Sequence, residues 1–209
     1  MTSTASPSLL APCLAIALAL SALWVAPSAH AERADRLKKM EVESDLPGKV
    51  DLQKQIVVFN GDVVVSKGTL LIRAARIEVR ETDGYQFATA SGQGGKLATF
   101  RQKREGVNEF IEGEAERLEY DAKTDTVRFV NKAQVRRLRG TEVADEAHGA
   151  LIVYDNTAEV FTVSGGAAAA TPANPGGRVH VVLGPREGTA AAAEAAAQAA
   201  SQAASGASR

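Results

Sequence analysis

The sequence predicts an all-β fold for the middle of the chain, residues 48–161. Apolar and polar residues alternate there with a period of two, as in strands that have one covered face. Turn residues separate the alternating runs at short intervals, and parts of the pattern recur further along the chain. Because a single hairpin buries too little to be stable, successive hairpins must stack or face each other. A sandwich, a jelly roll and a solenoid-like sheet all meet this condition.

The residues before this zone predict a secretory signal. The apolar stretch at residues 14–25 is too short to span a bilayer, and Ala29-His30-Ala31 has the small-x-small pattern of a cleavage site. We expect residues 1–31 to be removed near Ala31 and residues 32–47 to form a short polar lead. The single cysteine, Cys13, precedes the predicted cleavage site, so the mature chain has no thiol for disulfide or nucleophilic chemistry.

The first predicted hairpin lies in "GDVVVSKGTLLIR". Val63 and Val65 flank Val64 in one run, and Leu70 and Ile72 share a face in the next. The tripeptide Ser66-Lys67-Gly68 separates the two runs as a hairpin turn would.

The same alternation continues in the second half of the zone. Leu118 and Tyr120 share a face in "IEGEAERLEY", and Val127 and Phe129 share a face in "TVRFV". The glutamates within residues 112–119 leave a helix as an alternative, but the glycines and the short spacing between turns favour strands.

A weak internal repeat supports repeated hairpins. Residues 120–129 and 154–161 both begin with Tyr-Asp and end in Phe, with Thr and Val between. Phe59-Asn60-Gly61 also resembles Phe129-Val130-Asn131. Repeated hairpins are the simplest explanation of this self-similarity.

The last part of the chain changes in composition. Residues 165–177 are rich in Gly, Ala and Pro and are predicted to form a flexible loop. Val179, Val181 and Leu183 then share one face of a predicted final strand, which rejoins the sheet or pairs with another molecule. The Ala-rich tail, residues 186–209, is expected to be disordered or a fraying helix.

Motifs for metal or nucleotide chemistry are absent from the sequence. His148 and His180 have no metal-ligand spacing, and we interpret both as exposed or half-buried strand residues. The segment "SGQGGKLATF" lacks two elements of a phosphate-binding loop, because Ala90 replaces the first glycine and Leu97 replaces the hydroxyl residue. We interpret it as a glycine-rich turn.

The charged residues leave more than one interpretation open. The chain has 24 basic and 25 acidic residues, so no general attraction to nucleic acid or anionic membranes is indicated. The basic segments "FRQKR" and "VRRLR" are predicted to be turn or strand charges, with contact to phosphate on a ligand as the alternative. The acidic cluster is predicted to be a solvated face, but a pair of catalytic carboxylates, as in a polysaccharide-processing enzyme, stays open. Its members are Glu112, Glu114, Glu116, Glu119 and Asp121.

Three segments together resemble the LptA family of periplasmic lipopolysaccharide transport proteins, the OstA-like group. They are "VVFNGDVVVSKGTLLIRAARIEV", "GGKLATFRQKREGVNEFIEGEAERLEYDAKTDTVRFVNKAQVRR" and "RVHVVLGP". The most specific part is the signature F-x-G-x-V-x-V-x-x-G-T-L/I-x-I. The resemblance extends over residues 42–185.

The resemblance implies an open-ended, slightly twisted antiparallel β-jelly roll with a V-shaped apolar groove over residues 48–185. It implies a carrier without catalytic residues or cofactors that binds the lipid A part of lipopolysaccharide in the periplasm. Its implied protein partners are an inner-membrane jelly roll (LptC-like), the outer-membrane translocon (LptD-like) and further copies of the same chain, joined head to tail. The alternatives are the LptC-like membrane-proximal partner itself, the enzyme above and a structural or adhesive β-protein.

Two sets of residues are candidates for these contacts. We predict that the lipid-binding groove is formed by apolar residues on one strand face, each of which has ordinary core packing as its alternative: Val63, Val65, Leu70, Ile72, Phe100, Leu118, Tyr120, Val127 and Phe129. We predict that the strands at residues 53–59 and 178–183 are docking edges, because open strand edges can add to another sheet. The docking residues are Ile56, Val58, Val179, Val181 and Leu183. No metal site is predicted.

Overall fold

The computed structural model describes Asp35 and residues 38–104, 107–186 and 188–206. The predicted signal, residues 1–31, lies outside the described residues. The described part contains β1 Glu41–Glu43, β2 Lys49–Asp51, β3 Ile56–Lys67, β4 Leu70–Thr82, β5 Tyr85–Ser91, β6 Ala98–Lys103, β7 Glu109–Ala115, β8 Arg117–Asp121, β9 Thr126–Arg139, β10 Glu142–Asp155, β11 Val160–Ser164, β12 His180–Leu183 and the helix α1 Ala190–Gly206. A short 3-10 turn, Ala167–Ala169, lies between β11 and β12.

Four long strands, β3, β4, β9 and β10, each belong to two sheets. One half of each strand pairs in sheet I, whose order is β2-β3-β4-β5-β8-β9-β10-β11. The other half pairs in sheet II, whose order is β1-β3-β4-β6-β7-β9-β10-β12. All of these pairings are antiparallel. The two sheets therefore form the arms of a V, joined along the line where the long strands bend.

The bends coincide with breaks in strand register. In the β3–β4 pair the register shifts between Asn60 and Val63, and in the β9–β10 pair it shifts between Gly149 and Leu151. The extra residues include Asp62 with φ 40 and Asn131 with φ 63, in the left-handed region. A bulge of this kind bends a strand and sends its two halves into different sheets.

The core fills the space between the two sheets. Phe100 of sheet II meets Phe129 of sheet I edge to face, with ring centroids 5.6 Å apart. Inward-facing residues of both sheets join them in one continuous apolar cluster, which extends from Val63 to Tyr154. Burial of these side chains contributes on the order of 25 cal/mol per Å² of apolar surface, which makes the contact between the sheets the main source of stability.

The predicted all-β fold is confirmed. The first hairpin forms with Lys67 opposite Leu70. Residues 112–119 belong to strands β7 and β8 and to the single residue between them, Glu116, rather than to a helix. The predicted polar lead differs from the structure, because its residues Glu41–Glu43 form β1 and pair with β3. In the described part of the chain, no helix is long and apolar enough to cross a membrane.

The loop and tail that follow β11 are more regular than their composition suggests. Within residues 165–177 the amide of Gly166 donates to the carbonyl of Gly177 at 2.9 Å, and Thr171 forms a bridge with Asn174. The tail contains α1, so the structure shows the helical alternative rather than disorder.

Candidate functional site

The nine predicted groove residues all lie on the inner faces of the two sheets, where their side chains are at most 8% exposed. Leu70, Ile72 and Phe100 belong to sheet II, and Leu118 and Phe129 to sheet I. The parity of the strands was therefore predicted correctly. Their side chains are packed against each other in the cluster described above, so at these positions the structure shows a filled core and not an open groove.

Polar side chains close the mouth of the V in front of this core. Asp35 accepts hydrogen bonds from the amide of Thr69 at 2.8 Å and from its hydroxyl at 2.6 Å. Asp35, Lys67 of sheet II and Asp125 of sheet I line the same narrow space of ≈ 10 Å³. That space is too small for a hydrocarbon chain.

An open space of ≈ 670 Å³ lies between the sheets at their C-terminal end, and we call it the terminal cavity. This volume is within the range of small-molecule sites. Its apolar lining comes from the inner faces of β7, β9, β10, β11 and β12: Ile111, Val135, Ala147, Tyr154, Phe161, Val163, Val181 and Leu183.

The apolar wall of the terminal cavity continues to the exposed end of the sheets. The ring of Tyr154 stacks on Phe161, with centroids 4.3 Å apart and planes 10° apart, and burial raises the pKa of the Tyr154 hydroxyl. Val181 and Leu183 of β12 are 45% and 75% exposed. The cavity therefore opens towards solvent at β11 and β12, the last strands of the two sheets.

The rim of the terminal cavity at the mouth of the V carries an ion network. Glu109 of β7 accepts hydrogen bonds from Arg137 at 2.8 Å, from Arg139 at 3.0 Å and from Arg104. Arg137 also contacts Asp145 of β10 at 2.6 Å. Four of these five residues belong to β7, β9 or β10 of sheet II, and Arg104 directly follows β6.

The ion network determines the charge states of its members. Burial alone would raise the pKa of the Glu109 carboxyl, but the hydrogen bonds from Arg137, Arg139 and Arg104 outweigh burial and hold that pKa below its ordinary value. Burial alone would lower the pKa of Arg137, yet its contacts with Glu109 and Asp145 raise it. Glu109 and Arg137 are therefore ionised at neutral pH.

One ion pair of the network connects the two sheets. Arg104 follows β6 of sheet II, and it donates to the carboxylate of Glu159, which lies in the turn between β10 and β11 of sheet I. The side chain of Arg104 is 22% exposed and that of Glu159 is 37% exposed. The pair spans the mouth beside the terminal cavity, and both residues line that cavity.

The two ends of the sheets differ from the predicted docking edges in one respect. Ile56 and Val58 lie in β3, which is paired with β2 on that side, so the outermost strands at this end are β1 and β2. The prediction placed the edge one strand too far inside, because residues 49–51 carry too little alternation to be recognised as a strand. At the other end β12 contains Val181 and Leu183 and pairs with β10, and Val179 directly precedes β12.

The outer faces of the sheets carry the remaining charged residues singled out in the sequence. Glu112 pairs with Arg101 and Arg136, and Glu119 pairs with Arg117 at 2.9 Å. Together with Lys132 bound to Glu116 at 2.7 Å, these contacts agree with a solvated face.

The structure brings together two histidines that the sequence separates. His148 and His180 are opposite each other on β10 and β12, with ring centroids 5.8 Å apart. They line a second, shallow space of ≈ 780 Å³ on the outer side of sheet II, below residues 168–174. Within the described residues, no cluster of three or more histidine, cysteine or acidic side chains is arranged to hold a metal ion.

Sequence reasoning missed most of the terminal cavity. Val181 and Leu183 were selected as docking residues, and Ile111, Val135 and Phe161 were not selected at all, although they share the inward parity. The only sequence signal for the ion network was the pair of basic segments that contain Arg104, Arg137 and Arg139.

Comparisons with known proteins agree with this architecture. Residues 41–160 match the family model described as LptA/(LptD N-terminal domain) LPS transport protein. The "Lipopolysaccharide export system protein LptA" of Escherichia coli (strain K12) is 30% identical over 125 residues, 60% of this chain and 66% of that protein. The protein of the same name from Haemophilus influenzae is 24% identical over 131 residues, 61% of this chain and 71% of that protein. The chain thus spans just under two thirds of the Escherichia coli relative.

A solved structure has the same fold. It is LptH of Pseudomonas aeruginosa, described as the LptA homologous periplasmic component of the conserved lipopolysaccharide transport device. The TM-score is 0.60 with 22% sequence identity, over 73% of this chain and 99% of that one. This likeness confirms the predicted antiparallel β-jelly roll. The relatives are named as transport and export proteins and not as enzymes, in agreement with the expectation that the chain is not a catalyst.

Proposed function

The chain belongs to the LptA/LptD N-terminal domain family of lipopolysaccharide transport proteins, and on this premise we propose that it is a periplasmic lipopolysaccharide carrier. In this proposal the acyl chains of lipid A lie between sheet I and sheet II, and the sugar and phosphate groups stay in water at the mouth of the V. The observation that carries the proposal is the terminal cavity, which has an apolar lining, a polar rim and an opening at the end of the sheets.

The physical basis is shelter from water. Each methylene of an acyl chain gains about 0.8 kcal/mol on burial, so a chain of a dozen gains on the order of 10 kcal/mol. Apolar contact is not directional, and a chain can therefore slide along such a surface without breaking a defined set of hydrogen bonds. In our proposal the terminal cavity receives the acyl chains first, and the nine inner-face residues of the core contact lipid as the two sheets move apart.

We also propose that the chain forms a bridge by joining sheets end to end. The strands β11 and β12 at one end, and β1 and β2 at the other, can extend the sheets of a neighbouring molecule through backbone hydrogen bonds. A head-to-tail contact of this kind does not close and produces a filament. Suitable neighbours are further copies, an LptC-like jelly roll of the inner membrane and an LptD-like jelly roll of the outer membrane. An LptC-like role for this chain is the second candidate, and retention of residues 1–31 in the mature protein would favour it.

The first test is binding of lipopolysaccharide in solution. Purified protein is mixed with lipopolysaccharide, and we expect a soluble complex that can be isolated by gel filtration and that saturates. A protein that leaves all the lipopolysaccharide in aggregates would contradict the carrier function. Release of sugars from the lipopolysaccharide would favour the enzyme alternative.

Photo-crosslinking distinguishes lipid bound between the two sheets from lipid bound on their outer faces. A photoreactive residue at Phe161 or Val163 in the terminal cavity is expected to crosslink to lipopolysaccharide, and one at Leu70 or Ile72 to do so when the lipid penetrates the core. The matched control is Arg73, which alternates with Ile72 and is exposed on the outer face. Crosslinks confined to Arg73 would show that lipid binds outside the two sheets.

A further inference from the structure

The turn that presents Glu159 has a backbone conformation that does not favour glutamate. Glu159 has φ 55, in the left-handed region where Gly and Asn are preferred. The equivalent position of the β8–β9 hairpin is Asp125, with φ 54. Both turns are further organised by an aspartate, because Asp121 accepts from the amide of Lys123 and Asp155 accepts from the amide of Ala158. A long acidic side chain at 159 is therefore not explained by the turn.

The contact of Glu159 supplies an explanation. Its side chain reaches across the mouth of the V and places a carboxylate on the guanidinium of Arg104. Residues in disfavoured backbone conformations cluster at functional sites, because the surrounding contacts hold them there. The position that Glu159 occupies is thus an anion position, at the polar rim of an apolar cavity.

Arg104 is the member of the ion network best suited to exchange its anion. Arg137 lies between two carboxylates of its own sheet, Glu109 and Asp145, and its side chain is 19% exposed. Arg104 keeps one contact within its sheet, to Glu109, and directs the other nitrogen to the more exposed Glu159. Guanidinium binds phosphate oxygens with the same planar geometry as carboxylate, and phosphate carries the higher charge.

We propose that Arg104 binds the phosphate group of an anionic amphiphile whose hydrocarbon chain occupies the terminal cavity, with the carboxylate of Glu159 as the internal competitor for the same position. This inference rests on the proposed function and names the headgroup chemistry that the carrier recognises. One amphiphile can contact Arg104 with its phosphate and the cavity with its hydrocarbon chain, because Arg104 and the apolar residues Phe161 and Val163 line one continuous space. Binding of the phosphate displaces Glu159 from Arg104 and so breaks an ion pair between the two sheets.

The test compares two soluble amphiphiles with the same chain. Dodecyl phosphate and dodecyl maltoside are titrated into the purified protein below their micelle concentrations, with inorganic phosphate as a third titrant, and dissociation constants are measured by calorimetry. For Arg104→Gln we expect the affinity for dodecyl phosphate to fall about tenfold, since one charge-assisted contact is lost. The affinity for dodecyl maltoside is expected to change less than about twofold.

Variants of Glu159 are expected to change the affinity for dodecyl phosphate in the opposite direction. Glu159→Gln and Glu159→Gly both remove the competing charge, and glycine suits the left-handed backbone of this turn, so the fold is retained. We expect each to raise the affinity for dodecyl phosphate about fivefold and to leave dodecyl maltoside unchanged. Arg117→Gln and Glu119→Gln break an ion pair on the outer face and serve as matched controls that change neither affinity.

The outcomes distinguish this inference from the proposed function. If Arg104→Gln weakens both amphiphiles equally, or if the Glu159 variants gain no affinity for dodecyl phosphate, the pair only holds the sheets together and the inference is wrong. Equally tight binding of inorganic phosphate would show a phosphate site unrelated to lipid and would also overturn it. Wild-type protein that binds neither amphiphile would contradict the carrier function itself.

Discussion

At the level of single residues, Gly113 shows how closely the two sheets approach. It faces inward from β7, and a Cβ atom at this position would lie 2.2 Å from Cε1 of Phe129. The Phe129 ring is fully buried and contacts Phe100, so it has no free space to move into. Glycine is required here by the close approach of an aromatic ring and not by its backbone angles.

Gly113→Ala is expected to destabilise the protein. Alanine in a strand gains about 0.5–1 kcal/mol relative to glycine through lower backbone entropy. The clash with Phe129 costs about 1–3 kcal/mol and outweighs this gain. Urea denaturation should therefore show a lower free energy of unfolding. Glu114→Ala, one residue away on the outer face, is the control and should change stability by less than about 0.5 kcal/mol; an equal loss in both variants would contradict the packing argument.

The lowered pKa of the Glu109 carboxyl makes the stability of the fold depend on pH. Its pKa in the folded protein lies below the ordinary value of 4.5, because three arginines bind the ionised carboxylate. The unfolded chain therefore binds a proton more readily than the folded one, and this contribution to stability is present above pH 4.5 and is lost as pH falls below it.

We expect Glu109→Gln to lower the free energy of unfolding by about 1–3 kcal/mol at pH 7, since it removes a charge from buried arginine contacts. The difference between the variant and the wild type should shrink as the pH falls below 4.5. Denaturation curves at pH 7 and at pH 3.5 to 4 measure this. A difference that stays constant with pH would show that the carboxylate charge of Glu109 does not stabilise the fold.

At the level of elements, strand positions and faces were predictable, but the bends were not. Alternation places Val63, Ile72 and Phe129 on the inner face because side chains in a strand point to opposite sides in turn. The bends depend on bulge residues such as Asn131 and Lys132, whose left-handed angles have no strong sequence signal. For this reason the sequence could not show which half of a long strand belongs to which sheet.

The candidate site was less predictable than the fold. Residues of a filled core and residues of an open cavity have the same inward parity, and they differ only in whether a facing side chain is present. Ile111 and Val135 therefore resemble core residues in the sequence, and Glu159 resembles an ordinary solvated turn residue. The internal repeat in the sequence did identify equivalent positions in the fold, since Phe59 and Phe129 precede equivalent bends of β3 and β9.

We expect the strand β12 to be required for copies of the chain to join. Deletion of residues 178–185 removes β12 and exposes the edge of β10 in sheet II, and we expect it to abolish concentration-dependent oligomers in light scattering. Deletion of residues 190–206 removes only α1 and is the control, expected to leave the oligomers unchanged. Oligomers that persist without β12 would contradict the docking role of this end.

At the level of the whole molecule, stability is expected to vary along the axis of the V. Strands β3, β4, β9 and β10 each pair with three neighbours, whereas β1, β2, β11 and β12 each pair with one. Two of the three neighbours of β3 and of β10 are these terminal strands, whereas β4 and β9 pair only with inner strands. Amide hydrogen exchange should therefore be slowest in β4 and β9 and fastest in the four terminal strands.

Addition of lipopolysaccharide should slow exchange in β11 and β12, which line the terminal cavity, more than in β1 and β2. Mass spectrometry of peptides from the four strands measures this difference. Protection that is equal at both ends would show that lipid does not enter preferentially at the C-terminal end.

The four bent strands also have a consequence for size. The β3–β4 and β9–β10 hairpins each supply a portion of both sheets, so the distance between the sheets is determined within one hairpin. The length of the V is determined by how many hairpins follow one another. Insertion of an additional bent hairpin should lengthen the V by about two strand spacings, about 10 Å, without altering the distance between the sheets. In the bridge that we propose, duplication of a segment of the chain would adapt the molecule to a wider intermembrane distance.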